Sequence, residues 1–148
     1  MTNNSFRVNQ IDHVELYVPD QYEAAEWYRQ LFGLEILTDF EFWAEDGPLM
    51  ISSDDGHTKL ALFRGEPPGW KPPNGFQRVA FSVDGQGFLA FLNRLAEHPV
   101  YNHQGQPAHN LEVVDHELSY SLYFCDPYGN RYEVTTYDYP YVHNQLSL

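Results

Sequence analysis

Two stretches of this chain repeat the same order of signals, and that repeat restricts the available folds more than any other feature. IDHVELYV, from Ile11 to Val18, runs into Asp20 and an amphipathic segment; FQRVAFSV, from Phe76 to Val83, runs into Asp84 and another. The alternation in each octet predicts a strand with one buried face. Val14, Leu16 and Val18 fill that face in the first, and Val79, Phe81 and Val83 fill it in the second. His13, Glu15 and Tyr17 then share the opposite side of one strand, and Arg78, Ala80 and Ser82 that of the other, so His13 and Arg78 are repeat mates. The first helix is announced by Asp20 as N-cap with Glu23 three positions on, and it stops near Gly33. Its buried stripe is Ala24, Tyr28, Leu31 and Phe32; the second helix has Phe88, Phe91, Leu92 and Leu95 in that role.

Three strand-like stretches follow each helix: ILTDFEFWA, PLMISS and TKLALFR, then LEVVD, SYSLYF and NRYEVTTY. The chain therefore reads as βαβββ twice, one α+β domain over 1–148 with modules at 8–64 and 76–138. Between them GEPPGWKPPNG, residues 65–75, is a linker whose prolines and glycines forbid regular structure, and 139–148 is a tyrosine-rich tail. Two curved mixed sheets, each backed by a helix, are expected to form a cleft. With 43% apolar residues the chain holds enough material for that core. A net charge of −13 argues against nucleic acid and anionic membrane surfaces as partners. No stretch is long and apolar enough to span a membrane, and MTNNSFRVNQ lacks a signal peptide's order, so a cytoplasmic location is expected. Cys125 alone builds no disulfide framework.

The chemistry concentrates in VDHELSYSLYFCDPYGNRYEV, a hairpin around the turn residues DPYGN. Ser119, Ser121 and Tyr123 share a face of the outgoing strand, and Arg131, Glu133 and Thr135 share a face of the returning one. A carboxylate among aromatics is costly without a partner, so Glu133 calls for an arginine, a metal ion or water.

The spacing of His116, Leu122-Tyr123, Asp126-Pro127, Gly129 and Glu133 resembles the signature of extradiol ring-cleavage dioxygenases. These are the catechol 2,3-dioxygenase-like branch of the vicinal oxygen chelate (glyoxalase and bleomycin-resistance) superfamily. The resemblance implies the paired βαβββ fold and a small aromatic substrate. It also implies Fe(II) or another divalent metal, with Glu133 and His13 as ligands and His116 and Tyr123 over the substrate as acid-base and hydrogen-bonding groups. Relatives that pair modules between two chains imply a homodimer. The position of the second histidine ligand falls on Arg78, and the fourth ligand of the glyoxalases falls on Leu60.

Arg78 is a donor-only cation and cannot ligate a metal. At an effective dielectric of about 20, its charge about 4 Å from a divalent ion would be repelled by roughly 8 kcal/mol. The same guanidinium is a natural partner for Glu133, which predicts a salt bridge in place of a metal. His57 lies near another active-site histidine of the ring-cleaving family, and His103 and His109 stand in YNHQGQPAHN, read as a flexible loop over the cleft. Tyr17, Trp43, Trp70, Tyr123 and Tyr137 are candidate aromatic walls.

Two function classes follow. One is an extradiol dioxygenase-like enzyme, with His13 and Glu133 on the metal, His116 exchanging protons, Tyr123 bonding the substrate, and Arg78, His57 and Trp43 contacting it. The other is a metal-free small-molecule-binding protein of the bleomycin-resistance kind. A metal-free enzyme using His116 with Arg78 as oxyanion partner is a third.

Overall fold

The computed structural model describes residues 6–7, 9–66 and 77–148. The linker reading at 65–75 falls almost wholly outside the described residues, as does Trp70. The chain divides into two compact units, Met1–Pro68 and Gly69–Leu148. Each is a mixed α+β unit built on one sheet. No helix among the described residues is long and apolar enough to cross a membrane.

The first unit runs β1 (His13–Val18), α1 (Gln21–Phe32), β2 (Glu35–Ile36), a 3₁₀ helix (Thr38–Glu45), β3 (Leu49–Ser52) and β4 (Lys59–Arg64). Asp20 caps α1 by accepting from the amides of Tyr22 and Glu23, and Gly33 ends it at φ 71°. The sheet order is β1-β4-β3-β2, with β1 and β4 parallel and the other pairs antiparallel. Leu16 and Val18 of β1, Tyr28 and Leu31 of α1, and Leu60 and Leu62 of β4 are buried, while His13 and Glu15 are exposed, as the alternation predicts.

The segment ILTDFEFWA departs from its strand reading. Pairing stops after Ile36, and the chain winds into the 3₁₀ helix. A 3₁₀ turn superposes residues three apart. Phe40 and Trp43 accordingly meet with ring centroids 4.8 Å apart, a contact that a strand would have split between two faces.

The second unit runs β5 (Val79–Ser82), α2 (Gly85–Arg94), β6 (Val100–Tyr101), β7 (Pro107–Ala108), β8 (Val114–Asp115), β9 (Tyr120–Cys125), β10 (Arg131–Thr136) and α3 (Tyr139–Leu146). Its order is β5-β10-β9-β6-β7, with β5 and β10 parallel and β8 attached to β9. The strand that matches β2 in the first unit is thus β6, not LEVVD, which shrinks to a two-residue pairing with β9 at Val114↔Ser121 and Asp115↔Tyr120. YNHQGQPAHN is no open loop either. Asn102 Oδ1 accepts from the amides of Gln104 and Gln106, which folds the segment into the β6–β7 hairpin.

The tail forms α3, and it is fastened at α2. Asp138 sends its carboxylate to the Gly85 amide at 3.1 Å, beside Asp84, which accepts from the Gly87 amide. Both carboxylates sit at the positive end of the α2 dipole. A Cβ on Gly85 would run into Tyr141 and come within 2.7 Å of Asp138 Oδ2. Gly85→Ala is expected to lower the unfolding free energy by about 1–3 kcal/mol, read as a lower denaturant midpoint with an unchanged m-value; an unaltered midpoint would show that α3 docks without this contact.

Candidate functional site

In the first unit, parallel pairing sets His13 beside Lys59. Lys59 Nζ donates to Asp12 Oδ1 at 3.0 Å and to the Gly56 carbonyl at 2.6 Å. Asp12 Oδ2 lies 2.8 Å from His13 Nδ1, and Glu15 Oε2 lies 3.4 Å from His13 Nε2. The hydrogen bond that His13 donates to Asp12, with a smaller effect from the one to Glu15, holds the His13 pKa above the ordinary imidazole value, against the effect of partial burial. The same bond, together with Lys59, pulls Asp12 below the usual carboxylate range. The 3₁₀ helix contributes Phe40 and Trp43, and these join Asp12, His13, Pro48, Met50 and Lys59 around a hollow of about 330 Å³.

Two of the residues expected at a site, His13 and Trp43, therefore meet. His57 stands in the turn before β4, exposed; its amide donates to the Asp54 carbonyl and its own carbonyl accepts from Gln10. Lys59, two positions on, lines the hollow instead. Leu60, the expected counterpart of a glyoxalase ligand, is 2% exposed and registers with Val14 on the core side. The places on β4 that share His13's face are Lys59, Ala61 and Phe63, and none is a carboxylate. Tyr17 stacks on Phe63 at 5.6 Å.

In the second unit the DPYGN turn sets the register. Asp126, buried, accepts from the amides of Tyr128 and Asn130 and from the Asn130 side chain, while Gly129 adopts φ 93°. That turn places Tyr123 opposite Glu133, and Cys125 opposite Arg131. On its other side Glu133 registers with Ala80. Tyr123 Oη is 2.9 Å from His116 Nε2, so the two side chains are hydrogen-bonded to each other.

Arg78 behaves differently from the expectation. Its guanidinium carbon lies 4.7 Å from the centroid of the Tyr123 ring, and its Nε is closed off from solvent. The π face of Tyr123, one strand beyond β10, receives that cation. Glu133 thus has a phenol and an arginine-bearing strand as neighbours. No group of three or more His, Cys, Asp or Glu disposed to hold a metal occurs among the described residues. The donor set around Glu133 in this unit does not fit a divalent ion, because the charge at Arg78 repels one.

Three contacts lay beyond the reach of sequence reasoning. Lys59 and Asp12 frame His13, although only the alternation of TKLALFR hinted at Lys59. Cys125 Sγ lies 3.5 Å from His103 Nδ1, with burial first and then Asp126 pushing the thiol pKa up. His143 of α3 meets Tyr120 Oη at 2.8 Å, within a stack of Tyr120, Tyr139 and His143.

The family profile described as Glyoxalase/Bleomycin resistance protein/Dioxygenase superfamily matches residues 10–134. No match is found among curated proteins. Among solved structures, the chain is similar to a glyoxalase/dioxygenase from Nostoc punctiforme, with 24% identity over 91% of this chain and 98% of that one and a TM-score of 0.62. It is similar to the fosfomycin resistance protein FosX from Mesorhizobium loti at 16% identity, covering 88% and 93%, with a TM-score of 0.61. It is also similar to a lactoylglutathione lyase from Agrobacterium tumefaciens at 22% identity, covering 88% and 95%, with a TM-score of 0.60. At these identities the likeness is one of fold.

His13 supplies the test of the first unit's geometry. Because its pKa rises on folding, its contribution to stability is complete below the unfolded value of 6.5 and is lost as pH climbs through the folded value. A ring-proton NMR titration is expected to place its midpoint above 6.5, and Asp12→Asn is expected to bring it down. A midpoint at or below 6.5 in the unmodified protein would contradict the Asp12 contact.

Proposed function

The chain belongs to the Glyoxalase/Bleomycin resistance protein/Dioxygenase superfamily, and from that premise we propose that it binds a small aromatic molecule without a divalent metal. One observation carries the reading: the Arg78 guanidinium, one residue before β5, is held against the ring of Tyr123, which stands opposite Glu133. A cation fixed there disfavours a second, divalent one, by roughly 8 kcal/mol at about 4 Å and an effective dielectric of about 20. The aromatic preference is supported by the hollow in the first unit. Phe40 and Trp43 give it π surfaces, Met50 an adaptable apolar wall, and His13, Asp12 and Lys59 a polar rim that orients a ligand. At about 330 Å³ it suits a single substituted ring.

A second reading, ring cleavage of the extradiol kind, is favoured by one feature. The His116–Tyr123 hydrogen bond joins the two groups that such chemistry would set over a phenolic substrate, a base beside a hydroxyl donor.

Metal analysis of the purified protein and of Arg78→His separates these readings. The expected result is little metal in the unmodified protein and a gain in the variant; stoichiometric Fe(II), Mn(II) or Zn(II) in the unmodified protein would sink the metal-free reading. Catechol is expected to quench tryptophan fluorescence, with most of the change gone in Trp43→Phe. A yellow ring-cleavage product on adding Fe(II) and oxygen would favour the enzyme instead.

A further inference from the structure

The His116–Tyr123 pair depends on a strand with little ladder of its own. β8 pairs with β9 at Val114↔Ser121 and Asp115↔Tyr120, and the His116 amide then donates to the Ser119 carbonyl at 2.9 Å to close the loop. Inside the loop Glu117 takes φ 70°, a left-handed conformation that a residue with a Cβ adopts at a cost. Leu118 at the tip is 78% exposed, so apolar packing does not hold the loop down. A slip of one residue along β9 would turn His116 from the Tyr123 face to the helix face.

The contact that opposes such a slip comes from α3. By alternation Asp115 shares the face on which Tyr120 approaches Phe88 of α2, and His116 and Tyr123 share the opposite one. Tyr139, at the start of α3, donates its hydroxyl to Asp115 Oδ2 at 2.9 Å, while Asp115 Oδ1 accepts from the Glu117 amide at 2.8 Å. One carboxylate thus joins α3 to the strained residue beside His116. The hydrogen bond from the Glu117 amide above all, and then that from Tyr139, hold the Asp115 carboxyl below the usual carboxylate range, against desolvation. The Tyr139 ring is itself fixed. It lies flat on buried Tyr120, with centroids 4.6 Å apart and planes 6° from parallel. His143, one turn on, stacks on it at 5.5 Å and sets Nδ1 2.8 Å from Tyr120 Oη. Asp138 ties the same end of α3 to the Gly85 amide.

We propose that Tyr139 is a positioning residue for His116: acting through Asp115, it fixes the register of β8 on the helix face and so presents His116 to Tyr123 on the other. The inference rests on the His116–Tyr123 pair that the ring-cleavage reading uses, and concerns how that pair is held rather than what it turns over. α3 is therefore part of the site, although it acts from behind the sheet.

Tyr139→Phe keeps the stacked ring and removes the hydroxyl. Nitrogen NMR of the histidine rings and hydrogen exchange of the backbone amides read the outcome in the full-length protein. The His116 Nε2 resonance is expected to move toward that of a solvent-exposed imidazole. The Glu117 amide is expected to lose protection by about tenfold, while the Gly85 amide, bonded to Asp138, keeps its own. Asp115→Ala, which leaves α3 unaltered, is expected to give the same His116 shift, and Tyr139→Phe added to it no further one. Asp115→Asn retains an acceptor for the Glu117 amide and is expected to restore most of the original resonance. A His116 resonance unmoved in Tyr139→Phe, or moved further when that change is added to Asp115→Ala, would overturn the proposal. So would an equal loss of protection at Leu122 and Val134 in the core, since a general loss of stability would then suffice. A protein whose His116 responds as expected yet forms no yellow product with Fe(II) and catechol would keep the positioning role and remove the ring-cleavage reading alone.

Discussion

Parallel pairing between the first and last strands of each unit is the constraint on which everything else rests. Two parallel neighbours cannot be joined by a tight turn, so a crossover must lie between them, and α1 and α2 begin the return in the two units. The ladders then fix side-chain neighbours. His13 stands beside Lys59 and Glu133 beside Ala80, with Tyr123 opposite Glu133 on the third strand. A slip of one residue between β1 and β4 would send Lys59 toward the core and Leu60 to the surface. The burial of Leu60 and Leu62, each 2% exposed or less, makes that slip costly, so the charged face is positioned by apolar packing on the opposite side.

The two units treat their cations in contrasting ways. Lys59 lies among hydrogen-bond acceptors, with the Asp12 carboxylate and the Gly56 carbonyl on its ammonium, and it helps to hold a carboxylate against His13. Arg78 rests on an aromatic face, a contact worth about 0.5–2 kcal/mol depending on desolvation. The first arrangement favours a charged imidazole. The second leaves a carboxylate, Glu133, beside a strand that carries positive charge. The fold itself is similar to that of solved structures at 16–24% identity.

How much of this was legible differs element by element. Asp20 and Gly33 bound α1 through contacts within a few residues, so the helix could be read directly. The DPYGN turn was equally local, and with it came the facing of Tyr123 and Glu133. TDFEFWAE was not legible, because its aromatic and acidic residues fit a strand as well as a 3₁₀ helix, and the Phe40–Trp43 contact decided the matter. LEVVD had better strand composition than the short β6, yet β6 took the inner place beside β9 because the Asn102 turn closes the β6–β7 hairpin. The tail's helix was hidden in a tyrosine-rich stretch, although Pro140 in its first turn was a start signal; eight residues gain their stability from packing on α2 rather than from propensity.

The sequence by itself determined which side chains share a face and where helices start. Alternation and capping depend only on backbone geometry over a few residues, so a single chain states them. Only the tertiary structure decided the partners: the Tyr123 ring for Arg78, and Lys59 rather than His57 beside His13. Those choices depend on register between strands far apart in the chain, and register is set by the packing of the whole sheet.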